Sequence, residues 1–446
     1  MPGAEMIIER EKIDSNIIKI SGRLMDAGRK AYLVGGAVRD IVFGREPQDF
    51  DLLTDATCDE IKKIFKNVVA YGMKHGTSIV VMEKKPYDVT SFKDGDAPAG
   101  DLENDLATRD FTINAMACDM ADMNLLDPFG GMSDFSNRTI KCVLNPEDRF
   151  NKDPLRLLRA VRQAARFGFS IEENTFAAMK ALSGKIIISA PERIASELIK
   201  LFAAEKSGRC LDYLVKSGIW EKLAEKYFRG HFPDFKFADF DLKASFFKSF
   251  TCLPAENTIL KLSFFILYFL YFCGGPKLFE IDMKSIARCL HSMKFARSEF
   301  DPAAALVFIA SSELKNAGRK NFKAGDDEIT AKKDMFGFYK ISKQKDICKD
   351  AYILCENFFT AAGEAEKAMR YSSLSSALER VISERHPVFL EDLAVDGDVL
   401  KKVFGMGECH RIGEMLKLAQ NDVIEDKSAN VREELIARIR AKLIKH

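Results

Sequence analysis

The chain has 446 residues, of which 47% are hydrophobic and 30% are charged, as in ordinary soluble proteins. Its length predicts two to four domains, because a single hydrophobic core rarely extends beyond about 250–300 residues. The formal net charge is only +1, which excludes a globally basic chain and requires any RNA-binding surface to be a local patch. The ten cysteines lack Cys-x-x-Cys or zinc-like spacing, which predicts reduced thiols in a cytoplasmic protein.

The N-terminus carries Glu and Lys early and has no apolar stretch, so we expect no signal peptide. The most apolar run, residues 259–273, contains Lys261 and is short for a membrane span. We therefore predict a buried helix there and no membrane partner.

An apolar strand is predicted at residues 31–34, and it runs directly into Gly35 and Gly36. Without Cβ atoms, these glycines let the backbone turn sharply and approach a ligand closely. The helix predicted from about Ala37 points its N-terminal N–H groups toward the same place, which suits a phosphate group. An ordinary turn is the alternative interpretation.

Two acids, Asp49 and Asp51, follow on a second predicted strand. Side chains at i and i+2 share one face of a strand, while Phe50 and Leu52 project from the other face. Neighbouring carboxylates repel one another unless a cation lies between them, and hard oxygen ligands suit Mg²⁺. A phosphate cradle beside a magnesium site is what nucleotidyl transfer requires. The alternative is an amphipathic edge strand without chemistry.

The surrounding sequence predicts a small mixed sheet with helices, an α/β head of about 140 residues. Its helices are expected at residues 12–27 and 55–65, with Thr57 as N-cap of the second, and further strands at 78–82 and 87–92.

Residues 105–117 are predicted to form one helix, with Arg109, Asp110 and Asn114 on its polar side. A second helix is expected to start with Asp153 as N-cap and Pro154 as its first residue. This helix carries a stripe of four arginines, which would repel one another without an anion to hold: Arg156, Arg159, Arg162 and Arg166. A solvated face balanced by acids is the alternative.

From about residue 205 the hydrophobic period predicts helices only. The expected fold class is therefore α+β, a small mixed-sheet head followed by an all-α neck, body and tail. The predicted domains are the head, the neck with its arginine helix, the helical body and the helical tail, at residues 1–140, 141–205, 206–330 and 331–446.

Residues 33–51 resemble the head motif of class II tRNA nucleotidyltransferases and bacterial poly(A) polymerases, which are polymerase-β-like nucleotidyltransferases. The matching letters are Leu-Val-Gly-Gly-Ala-Val-Arg-Asp and Gly-Arg-Glu-Pro-Gln-Asp-Phe-Asp. The resemblance implies that Asp49 and Asp51 bind two catalytic Mg²⁺ ions. Asp88 would be a third acid that assists the metal or accepts the primer hydroxyl's proton, with a solvated strand acid as the alternative.

Two further segments resemble motifs of this family. Thr-Arg-Asp-Phe-Thr-Ile-Asn at residues 108–114 is similar to a motif whose arginine, aspartate and asparagine bind the triphosphate and sugar, although Thr108 replaces a first arginine. The segment around Asp153 and Arg156 is similar to the family's Glu-Asp-x-x-Arg, whose carboxylate and guanidinium read the Watson–Crick edge of the incoming base; Lys152 replaces the glutamate.

The resemblance also implies the roles of the remaining cleft residues and of the substrates. Arg159 and Arg162 would hold triphosphate or primer phosphate, and the glycine motif with Arg39 would contribute to nucleotide binding. The expected reaction is template-independent addition of C residues to the tRNA 3′ end from CTP, and of A from ATP in full CCA-adding relatives. The 3′ end and acceptor stem are the expected tRNA contacts, with the tail as a tRNA-binding region.

The connection between Phe92 and Asp105 has only twelve residues. Full CCA-adding relatives carry a longer flexible loop here, which helps to switch the pocket from CTP to ATP. We therefore predict an enzyme that adds two C residues, so that a separate A-adding enzyme completes the tRNA. The alternatives are full CCA addition after an ordinary loop deletion, a poly(A) polymerase, and an RNA-binding protein without catalysis.

Overall fold

The structure is a computed structural model. It describes residues 6–47, 49–69, 76–92, 102–232, 235, 240–274, 281–316, 327–406 and 410–443. The chain divides into two compact units, Met1–Glu197 with Ala204–Lys222, and Leu198–Ala203 with Leu223–His446. The division into four domains stays a prediction. Within the described residues, no helix combines the length and the apolar character needed to cross a membrane.

A seven-stranded mixed sheet forms the centre of the first unit, in the order β3-β4-β5-β2-β1-β6-β7. Strands β2 and β5 pair in parallel, whereas the other neighbouring pairs are antiparallel. A separate parallel pair is formed by β8 and β9. The strands are β1 (Ala31–Val34), β2 (Asp51–Thr54), β3 (Val68–Val69), β4 (Thr77–Met82), β5 (Lys85–Ser91), β6 (Ala117–Asp119), β7 (Leu125–Leu126), β8 (Thr139–Ile140) and β9 (Ser170–Ile171).

Eleven described α-helices begin in the first unit. They are α1 (Ser15–Asp26), α2 (Gly36–Val42), α3 (Cys58–Ile64), α4 (Leu102–Ala107), α5 (Gly131–Ser136), α6 (Pro146–Lys152), α7 (Arg156–Phe167), α8 (Glu173–Leu182), α9 (Pro191–Ala203), α10 (Ser207–Lys216) and α11 (Ile219–Tyr227). The predicted mixed sheet with helices is confirmed.

The local signals that fix the head act as the sequence indicates. Thr57 caps α3 by accepting the Glu60 N–H, and the Glu60 carboxylate accepts the Thr57 N–H in return, which makes a capping box. The apolar face of α1 is completely buried with the sheet at Ile17, Ile20 and Leu24. The sheet is therefore a rigid support for the residues at the ends of β1 and β2.

The predicted single helix over residues 105–117 is wrong. Helix α4 ends at Ala107, a 3₁₀ turn covers Thr112–Asn114, and β6 then begins. Pairing with a distant segment prevents a continuous helix: the Thr112 N–H donates to the Lys141 carbonyl at 3.0 Å, and Phe111 forms a β-bridge with Cys142. These non-local bonds outweigh helical propensity, which is a weak determinant.

The start of the arginine helix also differs from the prediction. Helix α7 begins at Arg156, and Asp153 is the residue that ends α6. The Asp153 Oδ1 atom still accepts the Leu155 N–H at 3.2 Å, and the Leu157 N–H donates to the Pro154 carbonyl at 3.1 Å. Asp153 thus caps a tight turn that precedes α7, rather than α7 itself.

The second unit is helical throughout its described residues, as predicted. Its helices are α12 (Ala244–Thr251), α13 (Thr258–Gly274), α14 (Met283–Ser292), α15 (Arg297–Asn316), α16 (Asp327–Ser342), α17 (Ile347–Ala362), α18 (Ala365–Ser383), α19 (Gly397–Phe404), α20 (His410–Glu425) and α21 (Arg432–Leu443). The apolar run forms α13, which is buried along most of its length. Its lysine, Lys261, is satisfied by the Ala255 carbonyl at 2.7 Å.

Candidate active site

An open cleft of about 380 Å³ lies in the first unit, where β1, β2 and α2 meet α7. The structure brings all the predicted site residues except Asp49 and Asp88 to its walls. It adds Arg166, which the sequence placed on the arginine stripe without a role of its own, and Gln163, which the sequence analysis did not single out. The lining residues are Gly35, Gly36, Arg39, Asp51, Arg109, Asp110, Asn114, Asp153, Arg156, Arg159, Arg162, Gln163 and Arg166.

Asp51 opens β2 at the acidic side of this cleft. In the register of the parallel strands β2 and β5, Asp51 lies opposite Asp88. Asp49 precedes β2 instead of lying on it as predicted. Enclosure by protein raises the pKa of Asp51, the negative charges of Asp88 and Asp49 raise it further, and Arg109 opposes the shift. Within the described residues these three carboxylates form no ion pair, so their repulsion is not neutralised by a bonded cation.

This repulsion makes the acidic side suitable for a cation. Among the described residues, no three histidine, cysteine, aspartate or glutamate side chains converge to hold a metal ion on their own. Mg²⁺ commonly takes one or two carboxylates and completes its shell with water and substrate phosphates. Two carboxylates such as Asp49 and Asp51 suit that mode of binding, and the metal roles of Asp49, Asp51 and Asp88 all stay predictions.

The glycine turn gives the backbone its close approach to the cleft. Gly35 has a φ of +72°, in the left-handed region that favours glycine, and a Cβ there would lie 2.9 Å from the Arg109 Nη1 atom. Arg109 is held in place by Asp105, whose Oδ2 atom accepts from Nη2 at 3.1 Å. A side chain at residue 35 would therefore displace the Arg109 guanidinium, which the family resemblance predicts to bind the nucleotide.

Asp110 is the centre of a buried hydrogen-bond network. Its Oδ2 atom accepts from Arg159 Nη2 at 2.6 Å, and its Oδ1 atom accepts from Asn114 Nδ2 at 2.9 Å and from the Phe111 N–H at 2.8 Å. Burial alone would raise the pKa of Asp110, but Arg159, Asn114 and the Phe111 N–H together hold it below its ordinary value. Asp110 therefore positions two other site residues.

A second acid, Asp40, binds two of the arginines. Its Oδ1 atom accepts from Arg39 Nε at 2.9 Å, and its Oδ2 atom accepts from Arg166 Nη2 at 3.0 Å. Arg39 also donates to the Asn114 side chain, which joins this pair to the Asp110 network. Burial lowers the pKa of Arg39, and Asp40 opposes that shift.

The arginine stripe of α7 is balanced in part by acids from other elements. Glu197 of α9 accepts from Arg162, and its Oε1 atom lies 3.8 Å from Arg159 Nη1. These contacts add to the ion pairs that Asp110 and Asp40 form with the arginines of the stripe. Sequence spacing did not reveal Asp40 or Glu197 as partners because they lie far from α7 along the chain. Gln163 was also missed, although its position seven residues after Arg156 places it on the same face of the helix.

Asp153 and Arg156 are fixed by partners outside the acid network. Arg193 Nη2 donates to Asp153 Oδ2 at 3.1 Å, and Arg156 Nη2 donates to the Thr108 carbonyl at 2.8 Å. The other terminal nitrogen of Arg156, Nη1, is buried and has no hydrogen-bond partner within the described residues. A buried donor without an acceptor costs about 1–3 kcal/mol, so this side of the cleft is prepared to receive an acceptor atom.

Comparisons with known proteins agree with this arrangement. Residues 31–141 match the family model described as "Poly A polymerase head domain", and residues 168–227 match "Probable RNA and SrmB- binding site of polymerase A". These two segments of the chain are therefore similar to the head and RNA-binding domains of the tRNA nucleotidyltransferase and poly(A) polymerase family. The cleft lies largely within the residues of the head match and in helix α7.

Among its relatives is the CCA-adding enzyme of Bacillus subtilis, which is 38% identical over 228 residues. That match covers 49% of this chain and 57% of the relative, so the chain spans little more than half the length of that protein. The Bacillus stearothermophilus CCA-adding enzyme in complex with CTP has a TM-score of 0.68 at 23% identity, covering 96% of this chain and 98% of that one. The Thermotoga maritima CCA-adding enzyme complexed with tRNA has a TM-score of 0.67 at 19% identity, covering 98% and 99%. At these identities the two structures establish the fold.

Replacement of Asp110 by asparagine tests the buried network. We expect Asp110→Asn to lower the free energy of unfolding by about 1–3 kcal/mol near neutral pH, because the Arg159 charge loses its buried partner. The pKa of Asp110 is lower in the folded than in the unfolded chain, so its contribution is complete above the unfolded value of about 3.9 and is lost as pH falls through the folded value. Denaturant unfolding measured from pH 7 to 3 gives the free energy of unfolding of both proteins. We expect the difference between Asp110→Asn and wild type to become smaller only below about pH 4. A difference that does not change with pH would contradict the network.

Proposed function

We propose that this chain is a template-independent nucleotidyltransferase that adds C residues to the 3′ end of tRNA from CTP, with release of diphosphate. The observation that carries the proposal is the charge arrangement of the cleft. Six arginines line it beside Asp51, and within the described residues their ion pairs engage the carboxylates of Asp40, Asp105, Asp110 and Glu197. Among the residues that line the cleft, six arginines outnumber three aspartates, and this excess of positive charge at the wall suits a triphosphate.

In this proposal Asp49 and Asp51 hold Mg²⁺. A metal held there would supply activation of the terminal 3′-hydroxyl of the RNA and neutralisation of charge on the triphosphate and the leaving diphosphate. The Gly36 N–H and the Arg109 guanidinium bind phosphate oxygens, while the Gly35 N–H donates to the Met116 carbonyl at 3.3 Å and holds the turn in place. The oxygen of the 3′-hydroxyl then attacks the α-phosphorus as the bond to the departing diphosphate breaks, and the hydroxyl proton passes to Asp88, which lies opposite Asp51 on β5.

The network around Asp110 orients the nucleotide, while the turn before α7 and α7 itself contact the base and the phosphates. Asp153 accepts from the amino group of cytosine, and Arg156 donates to its ring acceptors, as a pairing base would. Arg159 and Arg162 lie one and two turns further along α7, where they bind triphosphate or primer phosphate. The Asn114 and Arg39 side chains, which contact each other, complete the wall on the sugar side.

We further propose that the product ends in CC, so that a separate A-adding enzyme completes the tRNA. The support is the twelve-residue connection after Phe92, whose residues 93–101 lie outside the described residues. Full CCA addition is the second candidate, because the relatives are named CCA-adding enzymes. ATP is a substrate of this chain only if the chain also adds the final A. For either product, we propose that the helical tail contacts the tRNA.

A labelled tRNA transcript without its 3′ end separates these possibilities when incubated with CTP, with ATP and with both. We expect two C additions and no A in the presence of both nucleotides. A full CCA product would exclude the CC proposal and retain the enzyme class. Long A tails would identify a poly(A) polymerase, and the absence of any addition by protein that binds the transcript would indicate a non-catalytic RNA-binding protein.

A further inference from the structure

One aromatic ring at the end of α7 carries an unusual concentration of positive charge. The guanidinium carbons of Arg39, Arg45 and Arg166 lie 4.9, 4.8 and 5.3 Å from the centroid of the Phe167 ring. Each distance is within the range of a cation–π contact. The ring in turn is supported by Phe135, whose centroid is 5.6 Å away.

These three charges are only partly neutralised. Asp40 accepts from both Arg39 and Arg166, whereas Arg45 forms no ion pair within the described residues. Glu205 is near enough for an electrostatic effect on Arg45, but its carboxylate already pairs with Lys206. Three like charges around one ring, with one carboxylate for two of them, leave a place for an anion.

The position of this group indicates which anion it receives. Arg166 lines the cleft, whereas Arg45 does not and is exposed to solvent. Ten residues of α7 separate Arg166 from Arg156, which is about 15 Å at 1.5 Å per residue. A phosphate between Arg45 and Arg166 therefore lies where a chain would leave the cleft, at the opposite end of α7 from the residues that read the base.

We propose that Arg45 and Arg166, supported on Phe167, bind a backbone phosphate of the RNA substrate near its 3′ end. This inference rests on the proposed function, since it takes the substrate to be an RNA end. The stacked guanidinium groups are held in place before the phosphate arrives, which lowers the entropy lost on binding. The backbone N–H of Arg45 donates to the Asp40 carbonyl at 2.7 Å, so the segment that carries Arg45 is also fixed.

The test is equilibrium binding of a 5′-fluorescein-labelled tRNA transcript without its 3′-terminal CCA, measured by anisotropy without nucleotide at several KCl concentrations. We expect Arg45→Gln to weaken binding about three- to ten-fold near 0.1 M salt, and to reduce the slope of log affinity against log salt by about one. Arg45→Lys should lose less, because a phosphate accepts a point charge. The matched control is Arg23→Gln, which removes an exposed arginine of α1 that does not line the cleft.

The outcomes separate this inference from the proposed function. Unchanged RNA affinity and salt slope in Arg45→Gln would overturn the inference, even if the wild type adds C residues normally. Weaker binding of CTP with unchanged RNA affinity would also overturn it, because the phosphate would then belong to the nucleotide. A third outcome is that the wild type adds no nucleotide, while Arg45→Gln still weakens RNA binding. That result would refute the proposed function and leave the inference standing.

Discussion

Asp51→Asn is expected to lower the rate of C addition about a thousand-fold while the protein stays folded. Loss of metal-assisted stabilisation costs several kcal/mol in the transition state, and each 1.36 kcal/mol is a factor of ten in rate. The thermal midpoint should be unchanged or higher, because the substitution removes a carboxylate whose pKa is raised by enclosure and by Asp88. Single-turnover addition to a labelled tRNA and thermal unfolding measure the two effects.

The matched control for this prediction is Asp59→Asn on α3. Asp59 is exposed and pairs only with the neighbouring Lys62 among the ion pairs of the described residues, so neither rate nor midpoint should change. Transfer at the wild-type rate in Asp51→Asn would remove Asp51 from the metal site. A lower rate with a lower thermal midpoint would indicate a structural role instead.

Asp153→Asn should relax base selection with little effect on the rate of transfer from CTP at saturation. An asparagine can present either an amide donor or a carbonyl acceptor, so UTP, which offers an acceptor where CTP offers an amino group, becomes a substrate. A bidentate base contact contributes about 1–3 kcal/mol of discrimination, which corresponds to a loss of about five- to 150-fold in the ratio of kcat/KM for CTP over UTP.

Asp148→Asn serves as the control for base selection, because Asp148 is an exposed acid on α6, close in sequence to Asp153. It should keep the wild-type preference for CTP. If Asp153→Asn discriminated against UTP as strongly as the wild type does, Asp153 would not be a base-reading residue. A proportional loss for both nucleotides would assign it to the general shape of the cleft.

Local sequence signals predicted the head successfully where the determining contacts are themselves local. Thr57 and Glu60 are three residues apart, so the capping box could be anticipated from spacing. The glycine turn at Gly35 was predictable for the same reason. By contrast, the segment around Asp110 carries a helical pattern but does not form a helix. The Thr112 N–H donates to the Lys141 carbonyl, and Phe111 forms a β-bridge with Cys142. No local pattern contains that information.

The cleft shows the same division between local and distant causes. The arginines of α7 could be placed on one face from their spacing alone. Their acid partners could not, because Asp40, Asp110 and Glu197 lie in three other segments, far from α7 along the chain or outside its helical repeat. Sequence reasoning therefore identified the charges that line the cleft, but not the hydrogen bonds that hold them in position.

The separate anchoring of Asp153 and Arg156 has a consequence for how this family can diversify. Arg193 and the Thr108 carbonyl hold these two residues, whereas Asp110 and Asp40 hold the other arginines. A lineage could change its preferred base through substitutions in the first group without disturbing the second. Within the second group, by contrast, a change at Asp110 should be tolerated only with a compensating change at Arg159, so these two positions are expected to evolve together.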